Sequence, residues 1–224
     1  IPFTLIAIMA AMNAYNMVDG IDGLLGGLSF ISFSAISVLA YLNDNDFVQA
    51  SSMVVAASLI PFIARNTGVP FKGIRKIFMG DAGSMFVGLA VVWLLTLLTQ
   101  PTLQPNGSTS VRPVIILWFI AVPLMDMLAI MFRRLARGQS PFKPDRNHLH
   151  HIFIRAGFSS REALLFILSI ALGKALFGIA LELFQVPDMI VLCLYIAVFI
   201  FYCYLIKHAW RVVTWFKRLS MNED

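Results

Sequence analysis

Three short polar clusters interrupt an otherwise apolar chain, and they carry the carboxylates and imidazoles whose spacing could do chemistry. The first, residues 13–23, reads NAYNMVDGIDG. Asp19 and Asp22 lie three apart, so a helical turn would make their side chains neighbours. Gly20 and Gly23 allow positive φ and a close backbone approach. With Asn13 and Asn16 the cluster offers oxygen-rich groups suited to Mg²⁺ or to nucleotide hydroxyls; a plain Asp-Gly turn between two helices is the competing reading. The second, residues 76–84, reads KIFMGDAGS. Asp81 stands between two glycines, where a following helix would offer free N–H groups to an anion and Lys76 a positive charge. It could hold a hard cation there; alternatively Asp81 or Ser84 caps that helix. The third, residues 140–151, reads SPFKPDRNHLHH. Arg146, His148, His150 and His151 could donate to phosphate or sugar oxygens. Zinc binding and a bland headgroup-level loop are the alternatives, with no cysteine nearby.

The elements that must position these clusters are set by composition. Of 224 residues, 59% are hydrophobic and 13% charged, and the mean hydropathy is +0.81. Soluble domains are about 25% charged, so a water-soluble globule and a disordered chain are both excluded. A spanning helix needs about 20 mostly apolar residues. Seven runs qualify or nearly do so: 1–14, 24–42, 47–64, 83–100, 113–132, 163–183 and 188–207. The expectation is an all-α polytopic transmembrane bundle, a single domain over 1–224. Small residues in the second run (Gly23, Gly27, Ser29, Ser34 and Ser37) would let helices approach closely. Fifteen of the 17 Lys and Arg fall at 65–82, at 133–161 and in the tail from 207, all on one side if each run spans once. The net charge of +5 therefore marks a membrane face rather than nucleic acid. By the positive-inside rule these segments and the joint at 13–23 are cytoplasmic, so all three clusters meet at one end of the bundle. Cys193 and Cys203 would lie about 15 Å apart along one helix, too far to pair within it.

The blocks NAYNMVDGIDGLLGGLS, FMGDAGS and PLMDMLAIMFRRL…SPFKPDRNHLHH, in this order, resemble the polyprenyl-phosphate N-acetylhexosamine-1-phosphate transferases. They are most similar to the branch that moves N-acetylglucosamine-1-phosphate onto undecaprenyl phosphate. In the peptidoglycan branch, the phospho-MurNAc-pentapeptide transferases, the third block is a run of consecutive histidines rather than His-Leu-His-His. The resemblance implies a bundle of ten or eleven spans in a bacterial inner membrane, with site loops and C-terminus cytoplasmic. About seven spans stand in this sequence, and the Asp-Asp-x-x-Asp motif of an earlier family loop is not in it. This suggests an N-terminally truncated piece, inactive alone. The implied reaction turns UDP-GlcNAc and undecaprenyl phosphate into undecaprenyl-diphosphate-GlcNAc and UMP, with Mg²⁺ (or Mn²⁺) as cofactor, for O-antigen or enterobacterial common antigen. By resemblance Asp81 is the metal ligand. Asp19 and Asp22, with Asn13 and Asn16, form the wall around metal and nucleotide, and Asn66 resembles a family position near the nucleotide. Arg146, His148, His150 and His151 grip diphosphate and sugar. A homodimer is compatible with it.

Other polar residues read as structural. Asp126, at membrane depth, could approach the lipid phosphate or pair with Lys174 or an Arg. Lys174 and Glu182 could pair along one helix, and His208 reads as an interfacial anchor. A transporter for an anionic metabolite is the rival class. It predicts internal repeats and midplane polar groups, whereas here the polar groups gather at one face.

Overall fold

The computed structural model describes residues 2–69, 75–100, 110–140 and 148–208. These fold into helices α1 (Pro2–Met17), α2 (Leu24–Leu42), α3 (Asp46–Thr67), α4 (Gly80–Thr99), α5 (Pro113–Phe119), α6 (Ala121–Leu135), α7 (Leu149–Arg155), α8 (Ser160–Leu183) and α9 (Asp188–Lys207). No strand occurs among the described residues. Helices α2, α3, α4, α8 and α9 are each long and apolar enough to cross a membrane, and the pair α5–α6 makes six if counted as one span. The chain is a multi-pass membrane protein. Helix α1, with 16 described residues, is not counted among these.

Local chemistry sets the boundaries. Asn45 caps α3 by accepting the Val48 N–H, and Gly68 ends that helix with φ of 73°. Ser159 and Glu162 form a reciprocal capping box at the start of α8. The run at 113–132, expected as one helix, is instead broken at Ile120 and bent by 86°. Pro123 explains the break: it has no N–H for the Phe119 carbonyl, and its ring crowds that carbonyl. The freed Phe119 oxygen accepts instead from Ser32 Oγ on α2 at 2.8 Å, and Tyr15 Oη of α1 lies 2.6 Å from the same hydroxyl. A buried polar cluster thus ties α1 and α2 to the bend.

Packing depends on close helix approach. At Gly88 of α4 a Cβ would collide with the α1 backbone at Ala11 and Met12, so these helices touch main chain to main chain. Gly27 receives the Leu168 side chain of α8 in the same way, in keeping with the small-residue reading of the second run. At the end away from the three clusters, Arg112 gathers α8 and α9. Its guanidinium donates to Glu182 at 2.8 Å, to Asp188 at 3.0 Å and to the carbonyls of Leu181 and Val186. Glu182 therefore pairs with Arg112 and not with Lys174, whose Nζ meets Met125 Sδ on α6. Both cysteines are free, and His208 Nδ1 lies 3.0 Å from the Tyr204 carbonyl at the end of α9.

Candidate functional site

The first two clusters and the described part of the third, His148–His151, meet at one end of the bundle, where α1 ends, α2 and α4 begin, α3 ends and α7 leads into α8. The first forms the turn between α1 and α2. Gly23, with φ of 84°, directs the chain into α2, and its N–H donates to Asn66 Oδ1 on α3 at 2.5 Å. A side chain at that φ would be strained. Asn66 Nδ2 in turn donates to the Ile77 carbonyl at 2.8 Å. One buried amide therefore joins the first cluster to the second. Lys76 Nζ extends the junction by pairing with Asp22 Oδ2, so its charge is turned toward the acidic turn. Arg65 reaches the Arg75 carbonyl alongside.

At the start of α4, Asp81 is exposed within the first turn, just after Gly80 with φ of 71°. Neither Asp81 nor Ser84 caps that helix: the N-cap position is Met79, with no side-chain bond. Ser84 Oγ lies 2.6 Å from Asn16 Oδ1 on α1 and 2.9 Å from the Asp81 carbonyl. Asp81 is thus left facing outward beside Asp19. The carboxyl of Asp19 is raised above its ordinary value by partial burial and by the negative charges of Asp81 and Asp22. Asn13 is separate from this group; it donates back to the Met9 carbonyl of its own helix.

The third cluster closes over the first through α7. The His150 ring lies directly against Gly20, where any Cβ would overlap it. This is the close approach that a glycine in the turn permits, and at Gly20 it is absence of a side chain rather than positive φ that matters. His150 is 3% exposed, and its Nε2 has no hydrogen-bond partner among the described residues. Burial, with His151 and His148 nearby, pushes its pKa down to about 4, so the ring is neutral near pH 7. His148 stacks on His150 with centroids 5.9 Å apart and planes within 3°. The His151 ring lies tilted by 44° beside His150, with centroids 4.2 Å apart. Arg146 lies outside the described residues.

Among the described residues Asp126 is held by His148, Leu149 and Tyr202 rather than by Lys174. Its carboxylate accepts from His148 Nδ1, from the Leu149 N–H and from Tyr202 Oη. Tyr202 carries no sequence signal, being an aromatic in an apolar run. Next to α7 an apolar cavity of about 630 Å³ opens between α6, α8 and α9, walled by Leu149, Phe153, Phe166, Phe201 and Leu205, with Lys174 its cation.

Among the described residues no three His, Cys, Asp or Glu side chains are arranged as a ready-made metal cage. The hard oxygens of Asp19 and Asp81, which repel each other, still suit a divalent cation that takes the rest of its ligands from a diphosphate. The arrangement sets an acidic turn against a histidine-bearing helix, a combination suited to holding an anion through a cation.

The model of glycosyl transferase family 4 matches residues 1–99, which include the first two clusters. The undecaprenyl-phosphate alpha-N-acetylglucosaminyl 1-phosphate transferase of Pasteurella multocida is 44% identical over 168 residues, 75% of this chain and 46% of that protein. The enzymes of the same name from Yersinia pestis and Escherichia coli K12 are 46% and 45% identical, covering 82% and 73% of this chain and 49% and 43% of their own lengths. The chain spans about half the length of the curated relatives it matches. The chain is thus similar to glycosyl transferase family 4 over residues 1–99 and, over about three quarters of its length, to the undecaprenyl-phosphate alpha-N-acetylglucosaminyl 1-phosphate transferases.

Proposed function

We propose that the protein to which this chain belongs transfers GlcNAc-1-phosphate from UDP-GlcNAc to undecaprenyl phosphate at the cytoplasmic face of a bacterial inner membrane. In this reading residues 1–224 are one transferase domain. A lipid-phosphate oxygen forms a bond to the β-phosphorus, the bond from that phosphorus to the bridging oxygen breaks, and UMP leaves with that oxygen. The observation that carries this reading is the closure of α7 on the acidic turn, His150 against Gly20, at the same end where Asn66 and Lys76 join the first two clusters. One substrate is soluble and anionic and the other is held in the bilayer, so a site at the membrane face is where both can meet.

Phosphoryl transfer depends mostly on positioning and charge neutralisation. Asp81, with Asp19, would hold Mg²⁺ or Mn²⁺, which when bound offsets the repulsion between the two anionic substrates. Asp22 keeps Lys76 at the edge of the site, where its ammonium can face the leaving UMP. Asn16 sets the start of α4 through Ser84, and Asn66 sets the turn. Asn13, exposed one turn before the cluster, would contribute to the nucleotide wall. His148, His150, His151 and Arg146 would line the diphosphate and sugar, with Arg146 donating to phosphate oxygens and His148 Nε2 accepting from a sugar hydroxyl. The apolar cavity beside α7 suits the isoprenoid tail by its lining.

The test is a turnover assay on the full-length protein in nanodiscs. UMP release should require UDP-GlcNAc, undecaprenyl phosphate and Mg²⁺ together. Release without the lipid phosphate, or undiminished release in a metal chelator, overturns the assignment.

A further inference from the structure

Asp126 is a buried carboxylate that the reaction as described does not use. It lies on α6 and is 2% exposed. A carboxylate at that depth is costly unless its oxygens are fully bonded. Here both are: Oδ2 is 2.8 Å from His148 Nδ1, and Oδ1 accepts from the Leu149 N–H at 3.0 Å and from Tyr202 Oη at 2.6 Å. The three donors come from the residue before α7, the first residue of α7, and α9.

A carboxylate only accepts, so His148 must carry a proton on Nδ1. That commits one nitrogen and leaves Nε2 as the one able to meet a substrate oxygen. The second imidazole, His150, stacks parallel on His148 and abuts Gly20 of the acidic turn. A continuous row therefore runs from Asp126 in the bundle through His148 and His150 to the turn that carries Asp19 and Asp22.

We propose that Asp126 is the positioning residue of the histidine segment. It imposes the tautomer and ring orientation of His148 and, through Leu149 and Tyr202, pins the start of α7 between α6 and α9. Helix α9 is thereby part of the machinery that holds the histidines in register with the acidic turn. The kinetic side of this proposal rests on the transferase reading; the tautomer side does not.

The experiment uses full-length protein in nanodiscs with ¹⁵N-labelled histidine, and the variants Asp126→Asn, His148→Ala, Asp126→Asn with His148→Ala, and Tyr202→Phe. In the unsubstituted protein the nitrogen signals lost on His148→Ala should show a protonated, hydrogen-bonded Nδ1. In Asp126→Asn they should shift toward a mixture of tautomers, because an amide both donates and accepts. Loss of an orienting partner to histidine typically costs about 10–100-fold. Asp126→Asn should lower kcat by about that factor, with KM for UDP-GlcNAc within about threefold, and the double variant should be no worse than His148→Ala alone. An unchanged tautomer signal in Asp126→Asn, or losses that multiply in the double variant, overturns the proposal. Tyr202→Phe keeps the ring and removes one donor, so it decides the matter if Asp126→Asn does not fold. It should lower kcat about three- to tenfold at constant KM, and an unchanged kcat overturns the pinning role. If the unsubstituted protein releases no UMP, the transferase reading fails while the nitrogen signals still decide what Asp126 does.

Discussion

Asp81 and His150 are the residues whose surroundings most limit what they can do. Asp81 is exposed, caps nothing, and adds its charge to that of Asp19, so an isosteric amide should remove a metal ligand without disturbing packing. Asp81→Asn is expected to reduce UMP release by at least about a hundredfold, the order of a lost electrostatic group in a transition state, with an unchanged thermal midpoint. Retained turnover would remove Asp81 from the metal site. His150 makes a different prediction. Its folded pKa of about 4 lies below the ordinary 6.5, so between these values the unfolded chain binds a proton that the folded chain does not. Folding stability from this residue is thus full above pH 6.5, declines as pH falls toward 4, and is constant below. The gap in thermal midpoint between the natural chain and His150→Asn should be flat above pH 6.5 and should change within that window. A gap independent of pH would show that the ring is not held neutral against Gly20.

Among the elements, the joint between the α1–α2 turn and the segment before α4 depends on one amide. Asn66 was expected as a nucleotide-side residue, yet in the structure its Oδ1 and Nδ2 both serve main chain, at Gly23 and at Ile77. Replacing it by alanine strands a donor and an acceptor, and an unsatisfied buried group costs about 1–3 kcal/mol. Asn66→Ala should lower the thermal midpoint and reduce turnover together, because the two acidic clusters lose their common support. Full stability in that variant would mean that Lys76 and Asp22 alone hold the junction. The bend between α5 and α6 is the other element that decides the site. Pro123 breaks the helix, α6 leaves at 86°, and Asp126 is carried on it to His148 and Tyr202.

For the whole molecule, the two ends do different jobs. The end with the clusters is the one proposed to carry the chemistry, whereas the far end is held by Arg112 across α8 and α9. Arg112→Ala leaves Glu182 buried without its partner. The cost should be roughly 2–4 kcal/mol, at the low side for a buried pair because the guanidinium is 21% exposed. Thermal unfolding should report that loss while kcat per folded molecule stays unchanged. A fall in kcat would mean that the far end is coupled to the site through α8 and α9.

Composition and the spacing of apolar runs were sufficient to read the helical membrane class and the positions of α2, α3, α4, α8 and α9, because burial in lipid demands long apolar helices wherever the chain crosses. The three clusters were legible for the converse reason: polar residues in such a chain stand out, and their order carried the family likeness. Pairing was not legible. Asp126 could be seen as unusual from its neighbours in sequence, but its partner stayed open between the lipid phosphate, Lys174 and an arginine, and the bend at Ile120 was taken as straight helix. Hydrophobicity is a property of each residue, whereas a hydrogen bond depends on direction and on what lies across the bundle. Only the tertiary structure, by turning α6 at Pro123 and bringing α9 alongside, could decide that Asp126 meets His148 and Tyr202.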